Sequence, residues 1–77
     1  MVIIERMLEF DGNKLKQLRK EKRLTQGDLG TVVGRKTEHI SNYENGYATP
    51  PSDVLLRLMT FFNVTPDQLS REAQKNQ

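Results

Sequence analysis

Most glycines and prolines of this chain fall at the joints between short segments, and no long alternating run separates them. That placement favours helices over strands, because strands would read as strict apolar–polar alternation. Asp11-Gly12-Asn13 offers a cap before KLKQLRKEKR, where Leu15 and Leu18 stand three apart among charged and amide residues. A first helix with a narrow apolar stripe is expected there. Thr25, followed by Gln26-Gly27-Asp28, resembles a capping box, so a second helix is expected through Val33. It stops at Gly34, a residue able to take the left-handed conformation of a helix end. A third runs from Lys36 or Thr37 to Glu44 and ends at Asn45-Gly46.

Tyr47 to Pro51 reads as a loop, since consecutive prolines cannot continue a helix. VLLRLMTFF is the most apolar segment and reads as the central core helix, with Leu55, Leu58, Met59 and Phe62 on one face. Thr65-Pro66-Asp67-Gln68 is a helix start, with a cap residue, proline at the first position and glutamine at the third. A fifth helix is therefore expected to place Leu69 against the core and to end near Ala73. Residues 1–10, MVIIERMLEF, are too apolar for a free tail and suit either a short strand or a helical turn. Either form packs on the domain or on a second copy.

A chain of 77 residues is about one domain, at the small end of what a single core stabilises. It has no cysteine and one histidine, His39, so disulfides, thiolate metal sites and histidine-rich zinc sites are excluded. Apolar runs are too short to cross a membrane, and Glu5, Arg6 and Glu9 interrupt any secretory segment. A cytoplasmic protein is expected. The net charge is +2, but residues 14–46 hold eight basic and four acidic side chains, while residues 1–13 hold one and three. A basic middle of this kind is a modest footprint for a polyanion.

Within TQGDLGTVVGRKTEHISNYENG (residues 25–46), Leu29 and Val33 share one face of the second helix, and Ile40 and Tyr43 one face of the third. Gly34 turns sharply between them, and the small Gly30 lets them cross closely. This is the helix-turn-helix arrangement. Ile40 and Tyr43 suffice to dock the third helix, which leaves its other side free to enter a groove.

The segments TQGDLGTVVG, ISNYENG and VLLRLMTFFNVTPDQL resemble the Xre family of regulators, the lambdoid phage repressor and Cro type of helix-turn-helix, over about residues 12–70. The resemblance implies roles. Lys36, Thr37, Glu38 and Asn42 match the major-groove readers. In those places Asn42 suits bidentate pairing with adenine, Lys36 donation to guanine or phosphate, and Thr37 contact with a thymine methyl. Glu38 suits acceptance from cytosine, exclusion of wrong bases or orientation of Lys36. Gln26 matches a glutamine that binds phosphate or supports the first base reader, and Asn45, Gly46 and Tyr47 match the phosphate grip beyond the third helix. Arg19 and Glu44 match a partly buried ion pair. The dimer contact falls at Phe62, Asn63, Val64, Pro66 and Leu69, with the apolar N-terminal arm as a second candidate.

Three positions depart from the family pattern. Arg35 replaces an apolar residue, so it either snorkels outward to a phosphate or the turn packs differently. Lys36 replaces a serine or threonine cap, so the third helix either lacks its side-chain cap or starts one residue late. Gly30 replaces alanine, and helix propensity alone predicts that Gly30→Ala adds up to about 1 kcal/mol.

The expectation is an all-α, compact five-helix bundle containing a helix-turn-helix, with an arm over residues 1–11, the domain over 12–73 and a disordered tail over 74–77. As function it carries a sequence-specific regulator that binds double-stranded DNA as a homodimer on an inverted repeat. The alternative is an antitoxin-like module with a protein partner. No cofactor, metal or small-molecule ligand is expected, and no carboxylate pair, nucleophile–histidine pair or phosphate-cradling loop suggests an enzyme.

Overall fold

The computed structural model describes residues 7–73. In chain order these form strand β1 (Leu8–Phe10), helices α1 (Gly12–Glu21), α2 (Gln26–Val33), α3 (Thr37–Glu44) and α4 (Ser52–Phe62), a 3-10 turn (Pro66–Leu69) and strand β2 (Ser70–Glu72). Val2, Ile3 and Ile4 and the expected tail lie outside the described residues.

The helix boundaries follow local chemistry. Asp11 caps α1 by accepting from the Asn13 N–H at 2.9 Å. At α2, Thr25 Oγ1 accepts from Asp28 N–H at 3.0 Å while Asp28 Oδ2 accepts from Thr25 N–H at 2.9 Å. This reciprocal cap satisfies two N–H groups that the helix itself cannot. Gly34 ends α2 in the left-handed conformation at φ 70°, and Asn63 ends α4 in the same way at φ 55°.

Leu15, Leu29, Val33, Ile40, Tyr43, Val54, Leu58, Phe62 and Leu69 form one buried core. Helices α1, α2, α3 and α4 therefore share a centre, and α4 turns Val54, Leu58 and Phe62 into it. Leu55 and Met59 only flank it, so the buried stripe of α4 is rotated slightly from the one expected. Two crossings depend on absent side chains. A Cβ at Gly12 would collide with the Tyr43 carbonyl oxygen and lie 2.5 Å from that of Glu44, which lets α1 pack against the end of α3. A Cβ at Gly30 would lie 2.5 Å from the Arg35 carbonyl oxygen. The expectation that Gly30→Ala is stabilising therefore fails: the neighbour is backbone, and backbone moves only at a cost.

The fifth helix is not formed. The Thr65 signal does start a turn, with Gln68 Oε1 accepting from Thr65 N–H at 3.0 Å, but only one 3-10 turn follows. At Leu69 the carbonyl oxygen accepts from Asp11 N–H at 2.8 Å, and Ser70 is already extended at φ −133°, ψ 167°. Ser70–Glu72 then pairs antiparallel with β1 in the register Leu8↔Glu72, Glu9↔Arg71, Phe10↔Ser70. An ion pair from Arg71 Nε to Glu9 Oε1 at 2.8 Å crosses the two strands. Of the two forms open to the N-terminal arm, residues 8–10 take the strand, and it is pinned to the domain.

Candidate nucleic-acid interface

Helix α3 is held from one side only. Ile40, Tyr43 and Glu44 are buried, and at about 100° per residue the opposite side carries Glu38, Asn42 and Asn45, all exposed. Ser41, half-buried, lies at the edge of that stripe and its Oγ accepts from Asn45 Nδ2 at 3.3 Å. Ser41 did not figure among the expected readers, although its spacing from Glu38 and Asn45 places it on their face. Lys36 and Thr37 are exposed at the N-terminal end of α3. There the Thr37 Oγ1 lies 3.2 Å from where a Cβ on Gly27 would stand, so the starts of α2 and α3 meet.

The orientation of α3 is set by a buried charge. Glu44 accepts from Arg19 Nε at 2.6 Å and from Arg19 Nη2 at 3.0 Å, and from Gln26 Nε2 at 3.1 Å. The remaining Arg19 nitrogen, Nη1, donates to the Leu24 carbonyl at 2.7 Å. The pair thus ties α1, the α1–α2 loop, the start of α2 and the end of α3 together. The hydrogen bond to Glu44 raises the Arg19 pKa despite its desolvation, so the guanidinium is charged at any working pH. Gln26 is positioned by this carboxylate, a partner that its sequence position did not disclose.

The turn between α2 and α3 resolves both departures of residues 35 and 36. Arg35 bends back to Asp53 Oδ2 on α4 at 3.0 Å and donates to the Gly34 carbonyl at 3.1 Å. A phosphate contact by Arg35 would therefore share its guanidinium with Asp53. That carboxyl is desolvated, which raises its pKa, but Arg35 and the backbone N–H groups of Val54 and Asp53 outweigh this and lower it. Lys36 has no acceptor to offer as a cap, and α3 starts at Thr37 without one. His39 Nδ1 instead accepts from the Lys36 N–H at 3.3 Å. Arg57 Nη1 donates to the Val33 carbonyl at 3.1 Å and covers the other side of the turn.

Beyond α3 the expected phosphate grip changes character. The N–H groups of Asn45, Gly46 and Tyr47 donate to the carbonyls of Ser41, Tyr43 and Asn42, so these backbone donors are already used. Gly46 supplies the left-handed turn at φ 79°, while the exposed Asn45 side chain, which donates to Ser41 Oγ, and the Tyr47 ring, 80% exposed, are the side chains that face outward. Lys14 is likewise committed, donating to the Ser70 carbonyl at 2.5 Å. In the expected dimer patch, Phe62 and Leu69 are 8% and 1% exposed. Both are core residues and offer little surface, which leaves Asn63, Val64 and Pro66 as the more exposed part of the patch.

A family model described as helix-turn-helix matches residues 15–69. The chain belongs to the helix-turn-helix family. Its fold is that of the lambdoid phage repressor type: it resembles the P22 c2 repressor in complex with a synthetic operator at TM-score 0.72 and 29% identity, over 79% of this chain and 94% of that one. It also resembles the restriction-modification controller protein C.AhdI from Aeromonas hydrophila at TM-score 0.66 and 26% identity, over 74% and 86% of the two chains. In sequence it is 34% identical over 58 residues to the HTH-type transcriptional regulator ImmR of Bacillus subtilis, covering 75% of this chain and 46% of that protein. This helix-turn-helix chain spans less than half the length of the curated relatives it matches. Among the described residues no helix is long and apolar enough to cross a membrane, and no group of three acidic or histidine side chains is arranged to hold a metal.

Proposed function

We propose that the chain is a transcriptional repressor that reads double-stranded DNA by placing α3 in the major groove. The observation that carries this is the division of α3: Ile40, Tyr43 and Glu44 lock one side into the core, and Glu38, Asn42 and Asn45 stand exposed in a row on the other. A groove-reading helix needs such rigidity, since base contacts depend on well-fixed donors and acceptors. In this reading Asn42 pairs with adenine, and Lys36, Thr37 and Glu38 contact bases at the N-terminal end of α3. Gln26, Asn45 and Tyr47 reach phosphates. The likeness to a repressor in complex with operator DNA supports the same docking.

One α3 spans too few base pairs for a unique site, so the active form is a homodimer on an inverted repeat, with half-sites about 34–36 Å apart. Selection of duplexes from a random pool at about 0.15 M salt, where non-specific binding is weak, tests this. The expected result is an enriched inverted repeat whose half-sites lie one helical turn apart. Binding without enrichment, lost as salt rises, would overturn it.

A further inference from the structure

Among the described residues, the sheet formed by β1 and β2 is capped by a side chain on its β2 edge and open on its β1 edge. Bonds from Asp11 N–H to the Leu69 carbonyl (2.8 Å) and from Ala73 N–H to the Met7 carbonyl (2.9 Å) mark 7↔73, 9↔71 and 11↔69 as the hydrogen-bonded pairs. In an antiparallel ladder the alternate residues then turn their N–H and C=O groups away from the partner strand. On β2 the outward carbonyl of Ser70 is capped by Lys14 Nζ, which also reaches the Asp67 carbonyl at 3.4 Å. On β1 the outward groups belong to Leu8 and Phe10, and no described residue hydrogen-bonds to them.

Natural proteins blunt such edges with lysine, proline or a covering loop. β1 is short and carries the charge of Glu9, which Arg71 neutralises, but no lysine, proline or covering loop stands at it among the described residues, and it exposes Met7 and Leu8, at 64% and 54%. Beside the edge runs a mostly apolar groove, lined by Leu8, Phe10, Leu55, Pro66 and Leu69 with Glu9, Thr49 and Ser70 among them. It continues to Pro66, a surface residue of the expected dimer patch. An open antiparallel edge is self-complementary: rotated by a two-fold axis, its donors meet its own acceptors, as an isologous contact requires.

We infer that β1 pairs with β1 of a second copy, joining the two sheets into one and covering the groove. In the two registers that align the outward groups, Leu8 faces either Leu8 or Phe10 of the second copy. This supplies the contact for the dimer proposed above, and its role rests on that reading. Edge pairing gives affinity through backbone bonds, with side chains setting register.

The absence of cysteine makes the test direct. Facing Cα atoms of antiparallel strands lie about 4.5–5.5 Å apart, within the span of a disulfide. Single variants Leu8→Cys, Glu9→Cys and Asn63→Cys are oxidised mildly at micromolar protein, and disulfide dimer is followed by non-reducing electrophoresis. The pairing predicts fast cross-linking at Leu8 or at Glu9, according to register, and slow cross-linking at Asn63. Leu8→Pro, which removes an outward N–H and leaves the inner ladder intact, is expected to keep the circular dichroism spectrum and lose the wild-type dimer in sedimentation. Cross-linking at Leu8 and Glu9 no faster than at Asn63 overturns the inference, as does a Leu8→Pro protein that dimerises like wild type. None of these readouts involves DNA, so a failure of the DNA reading leaves them standing.

Discussion

Arg19 and Glu44 make two parallel hydrogen bonds, 2.6 and 3.0 Å long, across the contact of α1 with the end of α3. Their side chains are only 10% and 1% exposed. Both charges have left water, and each is tolerated because the other is present. Removing one partner strands the other, so Arg19→Met or Glu44→Leu is expected to cost about 3–5 kcal/mol. The double variant is expected to cost less than either single one. Urea denaturation of the four proteins checks this, and additive losses would show that the pair is not coupled.

Gly30 separates two effects that sequence reasoning confuses. Helix propensity favours alanine there by up to about 1 kcal/mol, but a Cβ would lie 2.5 Å from the Arg35 carbonyl oxygen. The overpacking wins, and Gly30→Ala is expected to destabilise by about 1–3 kcal/mol. A raised melting temperature for this variant would contradict the packing of α2 against the turn.

The α2 cap has a pH signature. The Asp28 carboxyl is held below its ordinary range by the Thr25 N–H first and by the Thr25 hydroxyl second, against a smaller desolvation effect. A depressed folded-state pKa gives stability that is present above the unfolded value and lost as pH falls through the folded one. The stability gap between wild type and Asp28→Asn is therefore expected to be full at neutral pH and to close below about pH 4. Paired thermal melts across that range measure it; a gap that widens in acid would mean Asp28 has another role.

Much of the helix-turn-helix is legible in the sequence because its signals are local. Thr25 and Asp28 stand three residues apart, and Gly34 and Asn45-Gly46 end their helices where they stand. The sheet is not legible in the same way. Its strands are three residues each and lie some sixty positions apart, and Thr65-Pro66 starts a helix by every local rule. Propagation stops where Asp11 N–H takes the Leu69 carbonyl and Ser70 begins to pair with β1, a tertiary effect. The site divides likewise. The exposed face of α3 follows from the spacing of Ile40 and Tyr43, whereas the turn of Arg35 toward Asp53 and the hold of Glu44 on Gln26 depend on how helices pack. Phe62 and Leu69 show a related limit: an apolar residue at a helix corner suits a dimer contact and a core equally well, and their burial appears only in the fold.

The central claim is that α3 reads bases and that Asn42 is one of its readers. The most direct measurement compares wild type and Asn42→Ala on the selected operator and on a set of duplexes with each base pair of one half-site changed in turn. A bidentate contact carries about 1–3 kcal/mol of discrimination, so the variant is expected to lose roughly five- to a hundredfold preference at one A·T pair. Its preferences at the other positions should stay as they are. An equal loss of affinity across all the duplexes, or an unchanged preference at every position, would contradict the account.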